Sequence, residues 1–248
     1  ERQKCGQFLV EGIKSVAEAI QVDAKIETLI IAPGLLVSGF GQSIVEQSQK
    51  KSIQIVEVSD EVFTAISNKD GPQGIAAIVH QNWTKLAQIN PGSNEIWIAL
   101  ESIQNPGNLG TIMRTGEAIG AKGIFLLDQS TDPYDPTAVK ASMGALFSLK
   151  LVKTEFKNFS AWVQEKKVPL IGSSDKVEQD YMTYQYPNPC ILIMGSERQG
   201  LSVGYLKLCE QIVRIPMLGR SDSLNLAVAT GIILYQIFNQ RRGIDFPA

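Results

Sequence analysis

The chain has 248 residues, room for one large domain or two modest ones, and its 44% hydrophobic and 19% charged content suits a globular protein with a sizeable core. The formal net charge of −2 excludes a uniformly basic nucleic-acid binder, and residues 1–79 carry seven Lys/Arg against ten Asp/Glu, so phosphate contacts must come from local patches. No apolar run approaches the ~20 residues of a membrane span, and three cysteines without a C-x-x-C pair argue against disulfides or zinc and for a reducing cytoplasm.

The opening E-R-Q-K-C-G-Q has no apolar signal-peptide core and no initiator methionine, so further residues are expected ahead of it. Residues 8–10 read as a strand, followed by a helix with Ile13, Val16, Ala17 and Ile20 on one face. A second strand, 29–31, is broken by Pro33 and Gly34. Then come a helix over 43–50, a strand over 53–58 and a short helix to Ile66 with Asp60 as its cap. Residues 68–74 are rich in turn formers, and a strand over 75–79 closes a small α/β domain spanning 1–79. The polar stretch 80–94, with Pro91 and Gly92, is expected to be a linker.

The second domain, 95–248, opens with a strand over 96–100. A turn then leads into a helix with Asn108 as cap and Leu109, Ile112, Met113 and Gly116 as its buried stripe, leaving Arg114 off that stripe. Strands are expected at 123–128, 147–152 and 168–172, with helices from the 132–136 turn through 143 and over 156–165. An apolar strand over 190–194 ends in G-S-E-R-Q-G-L-S. A last strand, 212–215, is stopped by Pro216, and a polar loop over 218–222 precedes a helix starting at Asp222 or Ser223. That helix has two apolar stripes: Leu224, Ala227, Val228, Gly231, Ile232 and Tyr235, and then Leu226, Ala229, Ile233 and Ile237. A helix apolar nearly all round is buried on two faces, one on its own sheet and one against a partner such as a second subunit.

Three loops, 105–114, 195–202 and 215–225, each pair a buried strand with small polar residues and glycine. Ligands in open α/β sheets bind at the carboxyl ends of strands, where such loops converge. Singly, each also reads as an ordinary turn or helix start, and Gly195 and Gly219 either admit a ligand close to the backbone or simply shape a turn.

Together, N-P-G-N-L-G-T-I-M-R-T, I-M-G-S-E-R-Q-G-L-S and I-P-M-L-G-R-S-D-S-L-N-L-A-V-A resemble, in order and spacing, the three motifs of the SpoU (TrmH-like) family of RNA ribose 2′-O-methyltransferases in the SPOUT superfamily. F-L-V-E-G-I-K-S-V-A-E-A-I and Q-G-I-A-A-I-V resemble the L30e-like substrate-binding domain joined to many members. The resemblance implies an α/β protein: a small N-terminal L30e-like domain and a C-terminal SPOUT domain with a deep trefoil knot. It further implies a homodimer through the knotted domain, an active site near the subunit interface, an RNA substrate (ribosomal in preference to transfer RNA), and neither metal nor membrane. S-adenosylmethionine would sit in the knot against Gly195, Ile215, Met217 and Leu224, with Ser173 a further candidate.

Arg114 matches the family's catalytic arginine, and Asn108, Glu197, Ser223 and Asn225 match its other polar motif positions. A guanidinium pKa above ~12 makes Arg114 a poor base, so it is expected to orient the 2′-hydroxyl and an adjacent phosphate while the proton leaves to water or phosphate. Asn108 and Glu197 are expected to fix Arg114; Ser223 and Asn225 either hold RNA phosphate or cap the last helix. His80, the sole histidine, lies outside every motif and is read as structural. Arg198, Arg220 and the pairs Lys50-Lys51, Lys166-Lys167 and Arg241-Arg242 are candidate phosphate contacts or solvated faces. The rival readings are a non-catalytic RNA-binding or ribosome-assembly protein of the same fold, a tRNA ribose methyltransferase, and a knotted enzyme modifying a base.

Overall fold

The computed structural model describes residues 2–67, 71–220 and 223–243. Its first part is a four-stranded sheet of β1 (Gln7–Glu11), β2 (Ile26–Ile31), β3 (Gln54–Glu57) and β4 (Ile75–His80), in the order β1-β4-β2-β3. β4 runs antiparallel to both neighbours, while β3 is parallel to β2. A short α1 (Arg2–Cys5) precedes β1, helices α2 (Ile13–Gln21), α3 (Gly39–Lys50) and α4 (Asp60–Ile66) connect the strands, and α2 buries Val16, Ala17 and Ile20 as its spacing demands.

Two helix starts differ from the sequence reading. Ser38 begins α3 by accepting from the Gly41 N–H, and Ser59, not Asp60, begins α4 by accepting from the Val62 N–H. A cap needs extended backbone for its side chain to reach back to the first turn; Ser59 has it, with φ −70° and ψ 159°, whereas Asp60 is already helical. Residues 68–70 of the expected turn lie outside the described residues.

The second part is a six-stranded, all-parallel sheet of β5 (Ile96–Glu101), β6 (Gly123–Leu127), β7 (Lys150–Thr154), β8 (Leu170–Ser173), β9 (Cys190–Met194) and β10 (Gln211–Val213). The order is β10-β8-β9-β5-β6-β7, so β9 lies between β8 and the first strand of the unit. Ile98, Leu100 and Leu192 feed one core, shared with α5 (Pro106–Ala118), α6 (Pro136–Ser142) and α9 (Leu226–Arg241). Trp97, Ala99, Ile191 and Ile193 feed another, shared with α7 (Phe156–Lys166) and α8 (Val203–Leu208). Strands covered on both faces read as continuous apolar runs, which is why β5, β6 and β9 are buried at every residue. Helix α5 lies so close to α6 that a Cβ on Gly110 would meet the Ala138 carbonyl oxygen and the Ala141 Cβ, each at 2.5 Å.

Three further expectations shift. The strand expected at 147–152 is β7, three residues later at its start, because residues 145–147 form a 3-10 turn after Gly144 at φ 98°. Part of the expected linker extends the sheet: Trp83 bridges to Leu151, and the Thr84 N–H donates to the Leu151 carbonyl at 2.8 Å, while His80 ends β4. Helix α9 starts at Leu226 behind Asn225, whose side chain accepts from the Ala227 and Val228 N–H groups. Ser223 therefore lies ahead of the helix, and Asp222 lies outside the described residues. Of α9's two stripes, Leu226, Ile233 and Ile237 are buried, whereas Val228 is 52% and Tyr235 45% exposed. Among the described residues no helix is long and apolar enough to cross a membrane.

Candidate active site

A cavity of about 410 Å³ opens at the carboxyl ends of β8, β9 and β10. Ser173 from the end of β8, Gly195 after β9, Ile215 and Met217 after β10 and Leu224 ahead of α9 all line it. Chain segments far apart in sequence thus meet at one place, and Glu197 and Ser223 also line the cavity. Gly195 answers to the backbone: a Cβ there would sit 2.0 Å from the Gly200 carbonyl carbon and 2.2 Å from the Leu201 nitrogen. Its loop folds back on itself, Ser196 and Gly200 exchanging backbone hydrogen bonds of 3.2 and 3.0 Å. Gly219 has no such constraint, since a Cβ there meets nothing within 4 Å.

Beside the cavity, Glu197 binds the start of α5. Its carboxylate accepts from the backbone N–H groups of Gln104 and Asn105 and from Nδ2 of Asn108, each at 3.1 Å. Asn108 Oδ1 in turn accepts from Nδ2 of Asn225 at 3.1 Å, and Asn225 Oδ1 caps α9. The loop after β9, the N-terminus of α5 and the N-terminus of α9 are therefore tied by one directional chain. Burial pushes the Glu197 carboxyl up, but hydrogen bonds from its own N–H, Gln104, Asn108 and Asn105 outweigh it and hold the group below the usual glutamate value. Asn105, rather than Asn108, caps α5, accepting from Gly107 and Asn108 N–H at 2.8 and 3.1 Å. Asn108 is left free to bridge the two helices.

Residues 95–235 match the SpoU rRNA Methylase family, and residues 1–77 match the MRM3-like substrate binding domain. The chain belongs to the SpoU rRNA methylase family. It is similar to the 23S rRNA (uridine(2479)-2'-O)-methyltransferase of Streptomyces viridochromogenes, 28% identical across 97% of this chain and 85% of that one. It is also similar to the 23S rRNA (guanosine(2553)-2'-O)-methyltransferase RlmP of Bacillus subtilis, 25% identical across 96% and 90%. The AdoMet-bound rRNA methyltransferase from Sinorhizobium meliloti superposes with a TM-score of 0.88 at 34% identity, covering 97% of this chain and 89% of that one.

In this SpoU-family chain Arg114 stands apart from the cavity lining. It is exposed on α5, with no hydrogen bond or ion pair among the described residues. The expected clasp by Asn108 and Glu197 is absent within one chain, because six residues of helix turn Arg114 about 120° away from Asn108. Of the other cations, Arg241 is not a phosphate contact: it donates to the carbonyls of Asn94 at 3.0 Å and of Glu95 and Pro187 at 3.5 Å. Lys51 pairs with Asp23 and Lys166 with Glu165, Arg242 lies over the Phe238 ring, and only Arg198 of this set lines the cavity. His80 pairs with Glu27 at 2.8 Å on the first sheet, outside the cavity.

Sequence reasoning missed Asp175 and Lys176, which line the cavity from the loop after β8, and Glu101, which accepts from the Ser202 N–H at 2.8 Å. The signals were a charged S-S-D-K run directly after a strand and a carboxylate ending the apolar I-W-I-A-L-E. Among the described residues no cluster of His, Cys, Asp and Glu is arranged to hold a metal.

Proposed function

We propose that this chain binds S-adenosylmethionine in the cavity and transfers a methyl group to a ribose 2′-hydroxyl of RNA, with ribosomal RNA as the substrate class. The observation that carries this reading is the meeting of Ser173, Gly195, Ile215, Met217 and Leu224 around one cavity of about 410 Å³, a volume within the ~300–1,000 Å³ of small-molecule sites. The residues present fit that cofactor. Leu201, Leu206, Ile215 and Leu226 offer apolar wall for an adenine ring, and a mixed lining of Asp175, Glu197, Lys176 and Arg198 suits a ligand that carries a sulfonium, an ammonium and a carboxylate together. When bound, S-adenosylmethionine supplies an electrophilic methyl group. The names of the two 23S rRNA relatives, and the match of residues 1–77 to a substrate binding domain, support an rRNA target.

The remaining task falls to Arg114. A guanidinium about 4 Å from the developing alkoxide is worth roughly 4 kcal/mol at an effective dielectric near 20, or about a thousandfold in rate. In this reading two copies pair through α5 and α9, and Arg114 of one copy orients the 2′-hydroxyl at the cavity of the other. The support is an open apolar face on α9 with Val228 and Tyr235 exposed, and Gly231 packed over Thr115 of α5, one residue from Arg114. Ser223, at the rim, is assigned to RNA phosphate; Asn108, Glu197 and Asn225 hold the two helix starts on which the site depends. The trefoil knot belongs to the same reading, supported by β9 lying between β8 and β5 while the loops after β9 and β10 share one cavity. Three free cysteines fit the cytoplasm as its compartment.

Calorimetry with S-adenosylmethionine, followed by nuclease mapping of rRNA methylated by the purified chain, tests this directly. Binding and a methyl on ribose oxygen are expected. Absence of binding returns the non-catalytic RNA-binding reading, and a methyl on a base overturns the ribose assignment.

A further inference from the structure

The seam between the two sheets is organised around one buried tyrosine. Tyr134, 3% exposed, precedes α6 in the second part. Its hydroxyl accepts from the Asn82 N–H and donates to the Asn82 carbonyl, both at 2.9 Å, closing on the backbone of the segment between the sheets. Its ring lies 4.6 Å from Phe8 of β1 and 5.3 Å, edge-on, from Trp83. At the border of this seam Arg2 reaches Asp132 and Asp135, each at 3.3 Å, and Asp135 caps α6 through the Thr137 N–H at 2.8 Å. Burial pushes the phenol well above its ordinary pKa, so it remains a hydroxyl donor at any usable pH.

What Tyr134 holds continues into the site. Helix α6 meets α5 at Gly110, where no side chain fits, and α5 carries Asn108, tied to Glu197, and Arg114. A close-packed interior transmits displacement and does not absorb it. We propose that Tyr134 is a positioning residue: it fixes the four-stranded unit at one angle to the methyl-transfer site, so that an RNA held by that unit presents its target nucleotide at a set reach. This rests on the reading of the cavity as an RNA methyl-transfer site.

Tyr134→Phe keeps the ring against Phe8 and Trp83 but removes both hydrogen bonds to Asn82. Nitroxides at Gln47→Cys and Gln164→Cys, in a Cys5→Ser, Cys209→Ser background that leaves only the buried Cys190, diluted with unlabelled chain, report the distance between the units. The distance distribution is expected to broaden in Tyr134→Phe. With total rRNA from a strain lacking the gene as substrate, KM is expected to rise about tenfold, the effect of two net hydrogen bonds. Turnover at saturating RNA and affinity for S-adenosylmethionine should stay within twofold. Arg2→Gln, which loosens the same seam from its border, should show the same pattern more weakly and covers a Tyr134→Phe chain that does not fold. An unchanged distance distribution overturns the lock, as does broadening with KM unmoved. A wild-type chain that fails to bind S-adenosylmethionine overturns the functional reading instead, and the distance measurement then decides the lock alone.

Discussion

The two sheets are covered differently, and the difference locates the chemistry. In the four-stranded sheet the edge strand β3 leaves Gln54, Val56 and Glu57 exposed, and β2 buries only Leu29 and Ile31 fully. In the six-stranded sheet β5, β6 and β9 are enclosed on both faces. A parallel strand roofed by helices on either side has only its ends left for contact with a ligand. The cavity accordingly lies at the ends of β8, β9 and β10, while the four-stranded sheet, which buries Ala77 with α2 and Ala76 with Phe63 of α4, leaves its β3 edge open.

The strongest way to break this division is Arg114→Ala. If the second unit alone does the chemistry, removing its exposed guanidinium should lower single-turnover methylation about a thousandfold, the counterpart of roughly 4 kcal/mol of alkoxide stabilisation. Calorimetric affinity for S-adenosylmethionine should be nearly unchanged, since Arg114 does not line the cavity. Retained turnover would remove Arg114 from the mechanism.

The contrast in coverage predicts a contrast in stability. Leu192→Ala, at a fully buried position of β9, should cost about 2–5 kcal/mol. Val56→Ala, on the β3 edge and 37% exposed, should cost about 0.5–1 kcal/mol. Urea unfolding of both variants reads the difference, and equal losses would mean that the first sheet is covered by something more than its own helices.

A sharper version sets two site glycines against each other. Gly195→Ala must displace the returning Gly200–Leu201 backbone, an overpacking penalty of about 1–3 kcal/mol. Because that backbone lines the cavity, affinity for S-adenosylmethionine should fall by roughly ten- to a hundredfold. Gly219→Ala, with open space around it, should stay within about 0.5 kcal/mol. Equal tolerance at the two positions would show that the hairpin is not what shapes the cavity.

The sheets and most helices were legible because their signals are periodic: the buried stripe of α5 and the continuous run of β9 each follow from spacing alone. Helix starts were less so. Asn105 and Asn108, or Ser59 and Asp60, are equally good caps by type, and only backbone conformation decides which side chain faces the first turn. The shift of β7 has a similar cause, since Phe147, where the strand was expected to begin, closes a 3-10 turn that buries Ala145 and Leu146. At the site, the motif loops could be read to a common end of the sheet, but the partner of Glu197 could not. A carboxylate and an arginine in neighbouring motifs invite pairing on paper, whereas the folded chain gives Glu197 two backbone N–H groups and an amide.

That substitution of partners yields a small expected effect and the most specific one. Glu197→Gln keeps the oxygen that accepts from Asn105 and Asn108 but turns an NH₂ toward the Gln104 N–H, so one hydrogen bond to the start of α5 is lost and methylation should fall roughly two- to tenfold. The pH dependence separates this from a direct catalytic role. A carboxyl whose folded pKa is depressed contributes stability that is fully present above its unfolded value and is lost as pH falls through the folded one. Wild-type chain should therefore keep α5 and α9 tied through the ordinary glutamate range and lose the tie only on further acidification. In Glu197→Gln the contribution is absent at every pH, so the gap in melting temperature between the two chains should be widest near neutrality and close in acid. A gap that persists unchanged into acid would mean that Glu197 stabilises the chain by packing, and that the clasp between the two helix starts does not depend on its charge.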